Sequence, residues 1–141
     1  MNICKPILLL LTSLSLFACS AETLSGMESQ PIALAQIQKQ WHLIGIDGQT
    51  ISPGINSTFQ VDKQSRVAGK LACNNFFGTL ILQDNRLKVD PMGSTRMMCP
   101  KPMNEIEMVI SSVFNDWSDI QLTANKLILS GKKHTLTYKA N

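Results

Sequence analysis

The feature that most constrains the fold is a series of short apolar or alternating segments separated by turn residues. The dipeptides Asp47-Gly48, Asp84-Asn85 and Ser130-Gly131 are among these separators. Short strands bounded by such residues at close spacing favour an antiparallel sheet that curls or closes. The predicted strands lie in WHLIGIDGQTI, TFQV, SRVAGKLAC, FFGTLIL, RLKV, IQLTA, KLILS and HTLTYK.

One segment, PKPMNEIEMVISSVFNDW, has a different period. Met103, Ile106, Ile110, Phe114 and Trp117 recur at three- and four-residue spacing, which is the pattern of an amphipathic helix. Such a helix must pack its apolar stripe against the sheet. We therefore expect an α+β fold that is mainly antiparallel β, with a single curled sheet and one packed α-helix.

The first residues have the pattern of a leader. Lys5 precedes an apolar run from residue 7 to residue 17, as in a signal peptide, and this run is shorter than the ~20 residues that span a bilayer. Leu16-Phe17-Ala18-Cys19 resembles the lipobox of bacterial lipoprotein precursors, although Phe17 is bulkier than usual. The alternative is ordinary secretion with cleavage after Ala21.

The lipobox resemblance implies a domain plan and a location. Residues 1–18 would be the signal peptide, and 19–32 the acylated Cys19 with a flexible tether. Residues 33–141 would form the folded domain. Cys19 would carry lipid such as palmitate and anchor the protein stably in a membrane. Ser20 follows the cysteine where an aspartate favours the inner membrane, so we expect the periplasmic face of the outer membrane.

Composition limits the partners. Removal of residues 1–18 leaves 123 residues, enough for one domain with its own core. The whole chain has 13 basic and 10 acidic side chains, and the basic residues are scattered singly or in pairs. Nucleic-acid binding needs a clustered basic face. We expect a monomer that binds no nucleic acid.

Two cysteines remain after processing. With the leader cleaved and Cys19 acylated, Cys73 and Cys99 form an even pair in an oxidising compartment, which indicates a disulfide. Closing this loop would stabilise the fold by ~3.5 kcal/mol in the chain-entropy model. Cys73 shares strand parity with Val67 and Leu71 and is predicted to face the core. Two buried, unpaired thiols are the alternative.

The sequence offers little support for catalysis. A cysteine nucleophile needs a nearby base, and His42 and His134 are the only histidines. Glu105 and Glu107 lie two residues apart on the predicted helix and do not face each other, so they make a poor acid/base pair. We expect no catalytic residues.

Metal binding finds no better support. The chain has no Cys-x-x-Cys and no His-x-x-x-His spacing that would indicate zinc. Soft sulfur ligands suit Cu(I), and several methionines surround Cys99 in sequence. Such methionines more often fill core gaps or form an adaptable apolar wall. We expect no metal and no cofactor. The methionines concerned are Met92, Met97, Met98, Met103 and Met108.

Two motifs connect the chain to a family. The segment from Arg66 to Gly69, continued by Ala72-Cys73-Asn74-Asn75, resembles the glycine-then-Cys-Asn motif of the META domain. Ser94-Thr95-Arg96-Met97-Met98-Cys99-Pro100 resembles its Thr-Arg-Met-x-Cys motif. Trp41 and the closing strands look like those of HslJ-type heat-shock lipoproteins of that family. The resemblance covers roughly residues 33 to 139.

The resemblance implies a small, partly open β-barrel with a helix across it. The family has no established enzymatic activity or cofactor, and its members are associated with heat shock, envelope stress and, in some cases, antibiotic tolerance. An envelope partner, or an apolar ligand or lipid in the barrel, is a further implication. Asn74, Arg96 and Met97 are the candidate binding residues. Alternatively, Asn74 satisfies loop backbone groups and Arg96 clamps carbonyls or a carboxylate.

Overall fold

The computed structural model describes residues 30–141. The predicted signal peptide, Cys19 and most of the tether lie outside the described residues, so these assignments stay predictions. The elements, in chain order, are α1 (Leu34–Ile37), β1 (Gln40–Ile46), β2 (Gln49–Thr50), β3 (Thr58–Val61), β4 (Arg66–Lys70), β5 (Asn75–Gln83), β6 (Arg86–Ser94), α2 (Lys101–Asn115), β7 (Ser118–Leu122), β8 (Lys126–Ser130) and β9 (Thr135–Ala140).

The strands form one antiparallel sheet that closes on itself. From β3 to β9 each strand pairs with the next in sequence, β1 pairs with β3, and β9 pairs back with β1. Eight strands therefore make the ring, while β2 extends the edge of β1. The narrowest joint is β6–β7, which pairs only Arg86 with Asp119 and Leu87 with Ser118. The predicted small β-barrel with one packed helix is confirmed.

Aromatic side chains fill the barrel. Phe59 makes edge-to-face contacts with Phe114 and Tyr138, at ring-centroid distances of 5.4 and 5.0 Å. Phe76 stacks on Phe114 at 5.2 Å, and Trp41 stacks on Phe59. All five rings are almost completely buried. An eight-stranded barrel has an interior just wide enough for side chains, so these rings complete the core.

The segment around α1 closes one end of the barrel, here called the N-terminal end. Ile37 is fully buried there, and its carbonyl accepts a hydrogen bond from Trp41 Nε1 at 2.9 Å. Three contacts tie the segment to three hairpin turns: Ile32 N–H to Asn85 Oδ1, Gln38 Nε2 to the Asp62 carbonyl, and Lys39 Nζ to the Ala124 carbonyl. The chain therefore enters the domain at this end.

The longer helix α2 covers the opposite end, here called the disulfide end. Of the predicted stripe, Ile110 and Phe114 are fully buried, and Met103, Ile106 and Trp117 are half-buried. The prediction of this amphipathic helix is confirmed over Lys101–Asn115, whereas Trp117 lies beyond the end of α2. Neither helix within residues 30–141 combines the length and apolar character that crossing a membrane requires.

The strand that leads to Cys73 is shorter than predicted. β4 ends at Lys70, and the Leu71 N–H donates to the Asn74 carbonyl at 2.8 Å, which closes a turn over residues 71–74. Leu71 remains buried, but Cys73 is half-exposed. The prediction that Cys73 continues the strand and faces the core is wrong, because the turn breaks the two-residue alternation.

The glycine of the first motif has a steric role in this arrangement. A Cβ at Gly69 would lie 2.0 Å from the carbonyl oxygen of Thr58 on β3. The two backbones approach too closely for any side chain. Gly69 therefore lets β4 pack against β3 just before the turn that carries Cys73.

Candidate functional site at the disulfide end

A disulfide joins the two sequence motifs. The Sγ atoms of Cys73 and Cys99 are 2.01 Å apart, with a Cα–Cα distance of 6.2 Å. Cys73 lies in the turn 71–74, and Cys99 lies just before α2. The structure thus contains the predicted pair rather than two unpaired thiols, and both motifs meet at one end of the barrel.

A buried carboxylate holds the same turn. Glu107 on α2 is only 8% exposed. Its Oε1 accepts hydrogen bonds from the backbone N–H groups of Cys73, at 2.7 Å, and Asn74, and its Oε2 accepts one from Asn74 Nδ2 at 2.8 Å. Glu107 therefore fastens the helix to the turn.

The hydrogen bonds determine the charge state of this carboxyl group. Burial of Glu107 favours the neutral form and would raise its pKa, but the Asn74 side chain and consecutive backbone amides of the turn donate to the charged form. The donors outweigh burial and lower the pKa of Glu107 below its usual value. The carboxylate is thus ionised at neutral pH although it forms no ion pair within the described residues.

Asn74 links the turn to the second motif. Its Oδ1 accepts hydrogen bonds from Thr95 Oγ1 at 3.0 Å and from the Met97 N–H at 2.7 Å, while its Nδ2 serves Glu107. The side chain is buried, and both ends of its amide are used inside the protein. Asn74 therefore satisfies groups of the loop, as the alternative to ligand binding predicted, because both ends of its amide already have partners.

Arg96 and Met97, in contrast, lie at the surface. Met97 is 54% exposed. The Arg96 guanidinium makes no hydrogen bond or ion pair within residues 30–141, so it does not clamp the carbonyls or the carboxylate considered above. Both residues border a groove of about 450 Å³ between α2 and the second motif. Their role in binding stays a prediction.

Comparison with known proteins identifies the family. The model of the META domain matches residues 33–141. The chain belongs to the META domain family.

Relatives of this META protein agree with the assignment. It is 31% identical over 118 residues to the heat shock protein HslJ of Escherichia coli (strain K12), and the match covers 80% of this chain and 84% of HslJ. The family therefore includes a heat-shock protein. Neither the META family nor this barrel fold is known for enzymatic activity.

Solved structures share the fold. A protein structure determined by NMR is 29% identical with a TM-score of 0.69, and the match covers 77% of this chain and 95% of that one. An NMR structure of a protein from Burkholderia xenovorans has a TM-score of 0.62 at 24% identity, covering 76% and 84% of the two chains. A DUF4847 family protein from Bacteroides vulgatus has a TM-score of 0.55 at 13% identity, covering 74% and 94%. The last two likenesses concern the fold alone.

Glu107 belongs to the candidate site at the disulfide end, and the sequence pattern was not used to predict it there. The sequence interpretation weighed it with Glu105 as an acid/base pair, and the two do not face each other. The signal was available, because Glu107 precedes Ile110 by three residues and Phe114 by seven, so it lies on the apolar face of α2. An acidic residue on such a face predicts a buried carboxylate that needs donors.

The cysteines and histidines within residues 30–141 do not form a nucleophile–base pair in this structure. Both sulfurs are joined in the disulfide, so no thiolate is present in this state. His134 Nδ1 lies 2.7 Å from Asp47 Oδ2 at the turn after β1, and this contact helps to hold the turn to the start of β9. His42 lies within β1, and its Nε2 is buried without a hydrogen-bond partner in the described part of the chain.

The possible metal ligands of the site are engaged elsewhere. The two cysteine sulfurs and a Glu107 oxygen lie within 4.8 Å of one another. A thiolate ligand requires a reduced cysteine, and both Glu107 oxygens already accept hydrogen bonds. Met97, Met98 and Met108 are exposed, whereas Met92 and Met103 are half-buried. Of these methionines, Met92 packs against the core and three form exposed apolar surface.

Proposed function

We propose that this META protein is an outer-membrane lipoprotein, anchored through Cys19 on the periplasmic face, that takes part in the response to heat or envelope stress. It acts by binding and not by catalysis. Tolerance of envelope-directed antibiotics is part of the same proposal. The family membership supports the link to heat shock, and the leader supports the anchor.

The disulfide between Cys73 and Cys99 is the observation that carries the proposal. Disulfides persist in oxidising compartments and are rare in the bacterial cytoplasm. This one connects the two motifs that define the family resemblance. The predicted leader, together with a disulfide at the motif site, favours a protein that works outside the cytoplasm.

The proposed binding role is supported by how the polar groups of the site are used. The Asn74 amide and the Glu107 carboxylate each satisfy backbone groups of the chain, so they serve the fold. The residues left exposed at this end include Arg96 and methionines, which provide charge and apolar contact area, beside the polar Thr95 and Asn104. Such a surface suits recognition of another molecule.

An apolar ligand inside the barrel is the second candidate, and the structure gives it little room. Five aromatic rings and the aliphatic core fill the space within the strands. A ligand would have to displace packed side chains, which costs several kcal/mol. Native mass spectrometry of the purified protein tests this candidate directly, since it predicts a retained lipid or other apolar molecule.

Metabolic labelling tests the anchor. In its host, the full-length chain should incorporate an alkyne-tagged palmitate analogue and fractionate with the outer membrane. Cys19→Ala should lose the label and leave that fraction, while Cys73→Ser, a control with the lipidation cysteine intact, should keep the label. An unlabelled wild-type protein, or one that retains its leader in the cytoplasm, would contradict the proposal.

Survival assays test the physiological part. A strain that lacks the gene should survive heat shock and envelope-directed antibiotics less well than its parent. Full-length wild type should restore survival, whereas Cys19→Ala should not. Equal survival of the deletion strain and the parent under all these stresses would argue against the stress role.

A further inference from the structure

A groove at the disulfide end carries the inference, which rests on the binding role proposed above. It runs between α2 and the second motif and has a volume of about 450 Å³, within the size range of sites for small ligands or short peptide segments. We call it the Arg96 groove. Its rim includes Arg96, Met97, Asn104, Met108 and Ser111.

Two exposed methionines make part of the rim apolar. Met97 is 54% exposed and Met108 is 73% exposed, and Met98, next to the rim, is completely exposed. The described chain has five large exposed hydrophobic residues, and these methionines are three of them. A cluster of this kind marks an interaction surface, and methionine side chains adapt to different apolar partners.

The accessible charge of the groove is positive. Arg96 makes no ion pair in the described residues, and the Glu107 carboxylate below it is buried and satisfied by the turn. Arginine is well suited to carboxylates because its guanidinium donates two parallel hydrogen bonds. A partner that combines an apolar side chain with a carboxylate would therefore complement the groove.

The backbone of the second motif points to a polypeptide partner. The N–H groups of Thr95 and Met97 donate inward, to the Asn75 carbonyl and to Asn74 Oδ1. The intervening N–H of Arg96 and the next one, of Met98, have no hydrogen-bond partner within residues 30–141. Although residues 95–98 lie beyond the end of β6, these two N–H groups are donors that the backbone of an extended peptide can use.

The position of the groove argues against the bilayer as its partner. Chain entry is at the N-terminal end, beside Asn85, whereas β5 begins beside the groove at Asn75 and runs away from it for nine residues to Gln83. At ~3.3 Å per residue this is most of the height of the barrel. Anionic membranes also attract clusters of basic residues, whereas the lining of this groove contains a single basic residue, Arg96.

We propose that the Arg96 groove binds an extended polypeptide segment that carries a large apolar side chain next to an acidic one. The apolar side chain packs between Met97 and Met108, and the carboxylate pairs with Arg96. The peptide backbone hydrogen-bonds along residues 96–98. The protein thus presents a peptide-binding groove on the barrel end away from its point of chain entry.

Methionine-methyl NMR of the complete mature protein in detergent micelles tests the proposal. The probe is a capped peptide, Gly-Asp-Leu-Phe-Asp-Gly, and its counterpart with lysine in place of aspartate is the control. Met97 and Met108 signals should move and saturate with the acidic peptide only, while the half-buried Met92 stays unchanged. Absence of saturation, or equal shifts with both peptides, would overturn the proposal.

Charge reversal sharpens the test. Arg96→Glu should weaken binding of the acidic peptide at least tenfold and confer binding of the lysine peptide. Lys63→Glu reverses the charge of an exposed residue in the turn between β3 and β4, at the N-terminal end. This variant should bind the acidic peptide with unchanged affinity. Equal loss in both variants would overturn the assignment of Arg96. If phosphatidylglycerol vesicles shifted the Met97 and Met108 signals and the peptide did not, the peptide-binding proposal would also be overturned.

The outcome is separable from that of the proposed function. Peptide binding by purified protein does not depend on where the protein resides, and palmitate labelling does not depend on peptide binding. Failure of the NMR titration would therefore remove the groove assignment and leave the anchor intact, and failure of the labelling would do the reverse.

Discussion

The carboxylate of Glu107 and the side-chain amide of Asn74 are joined by a hydrogen bond of 2.8 Å at the centre of the two META motifs. The same carboxylate holds the turn backbone, and the same amide holds the backbone of Met97. Through these two side chains, α2, the turn 71–74 and the second motif form one connected unit. The disulfide adds a covalent link to it.

Glu107→Gln should destabilise the protein by ~1–3 kcal/mol, because one carboxylate oxygen becomes an NH2 group that faces existing donors. Urea denaturation at pH 7 measures the change. Glu105→Gln, on the exposed side of the same helix, is the matched control and should stay within about 0.5 kcal/mol of wild type. Equal effects of the two substitutions would contradict the role of Glu107.

The contribution of Glu107 should also depend on pH. Its pKa is lower in the folded chain than its usual value, so its stabilisation is present in full above the unfolded pKa of ~4.3. It is lost as pH falls through the folded pKa. The stability gap between wild type and Glu107→Gln should therefore be widest at neutral pH and shrink in acid.

Urea titrations at pH 7, 5, 4 and 3 measure this gap. The exposed Asp47, Asp62 and Asp116 also have lowered pKa values, from partners that include His134, Arg66 and Lys132 respectively. These groups are common to both proteins, so their titration cancels in the difference. A gap that stays constant down to pH 3 would mean that Glu107 does not act as a carboxylate.

Removal of the disulfide should lower stability by ~3.5 kcal/mol, since the unfolded chain gains the freedom of the opened loop. The double variant Cys73→Ser, Cys99→Ser should show this loss in thermal or urea unfolding. The wild-type protein under dithiothreitol should match it, and the variant should not respond to dithiothreitol. We expect the barrel itself to persist, because its core consists of packed aromatic and aliphatic side chains and does not include either cysteine.

Phe114→Ala should destabilise by ~3–5 kcal/mol, because Phe114 is fully buried and contacts Phe59, Phe76 and Tyr138. Phe77→Ala is the matched control, since the Phe77 ring lies on the outer face of the barrel and is 58% exposed. Its loss should cost less than about 1 kcal/mol. Calorimetric unfolding compares the two, and similar losses would contradict the described core.

Local patterns in the sequence predicted most of the fold. The alternation of apolar residues gave the strands, and the spacing of Ile110 and Phe114 gave α2, because each element buries one face. Pairing of β1 with β9 was not predictable from local pattern, since it joins the two ends of the domain. The turn that exposes Cys73 was missed for a related reason: its hydrogen bonds come partly from Glu107, distant in sequence.

The candidate site was predicted in part. The motif residues Asn74, Arg96 and Met97 do come together at one end of the barrel. The sequence did not show which of them is structural and which is exposed, because this depends on which side chain has a buried hydrogen-bond partner. Asn74 meets Glu107 and is satisfied, whereas Arg96 meets no acidic group of the described chain and stays available at the surface.

The central claim is that the two META motifs form a disulfide-linked unit in an oxidising compartment. Thiol trapping in living host cells, followed by mass spectrometry of the isolated protein, tests it most directly. Cys73 and Cys99 should resist a membrane-permeable maleimide until a reductant is added, and both should then react. Modification of either cysteine without reductant, under conditions where the protein is folded, would contradict the account.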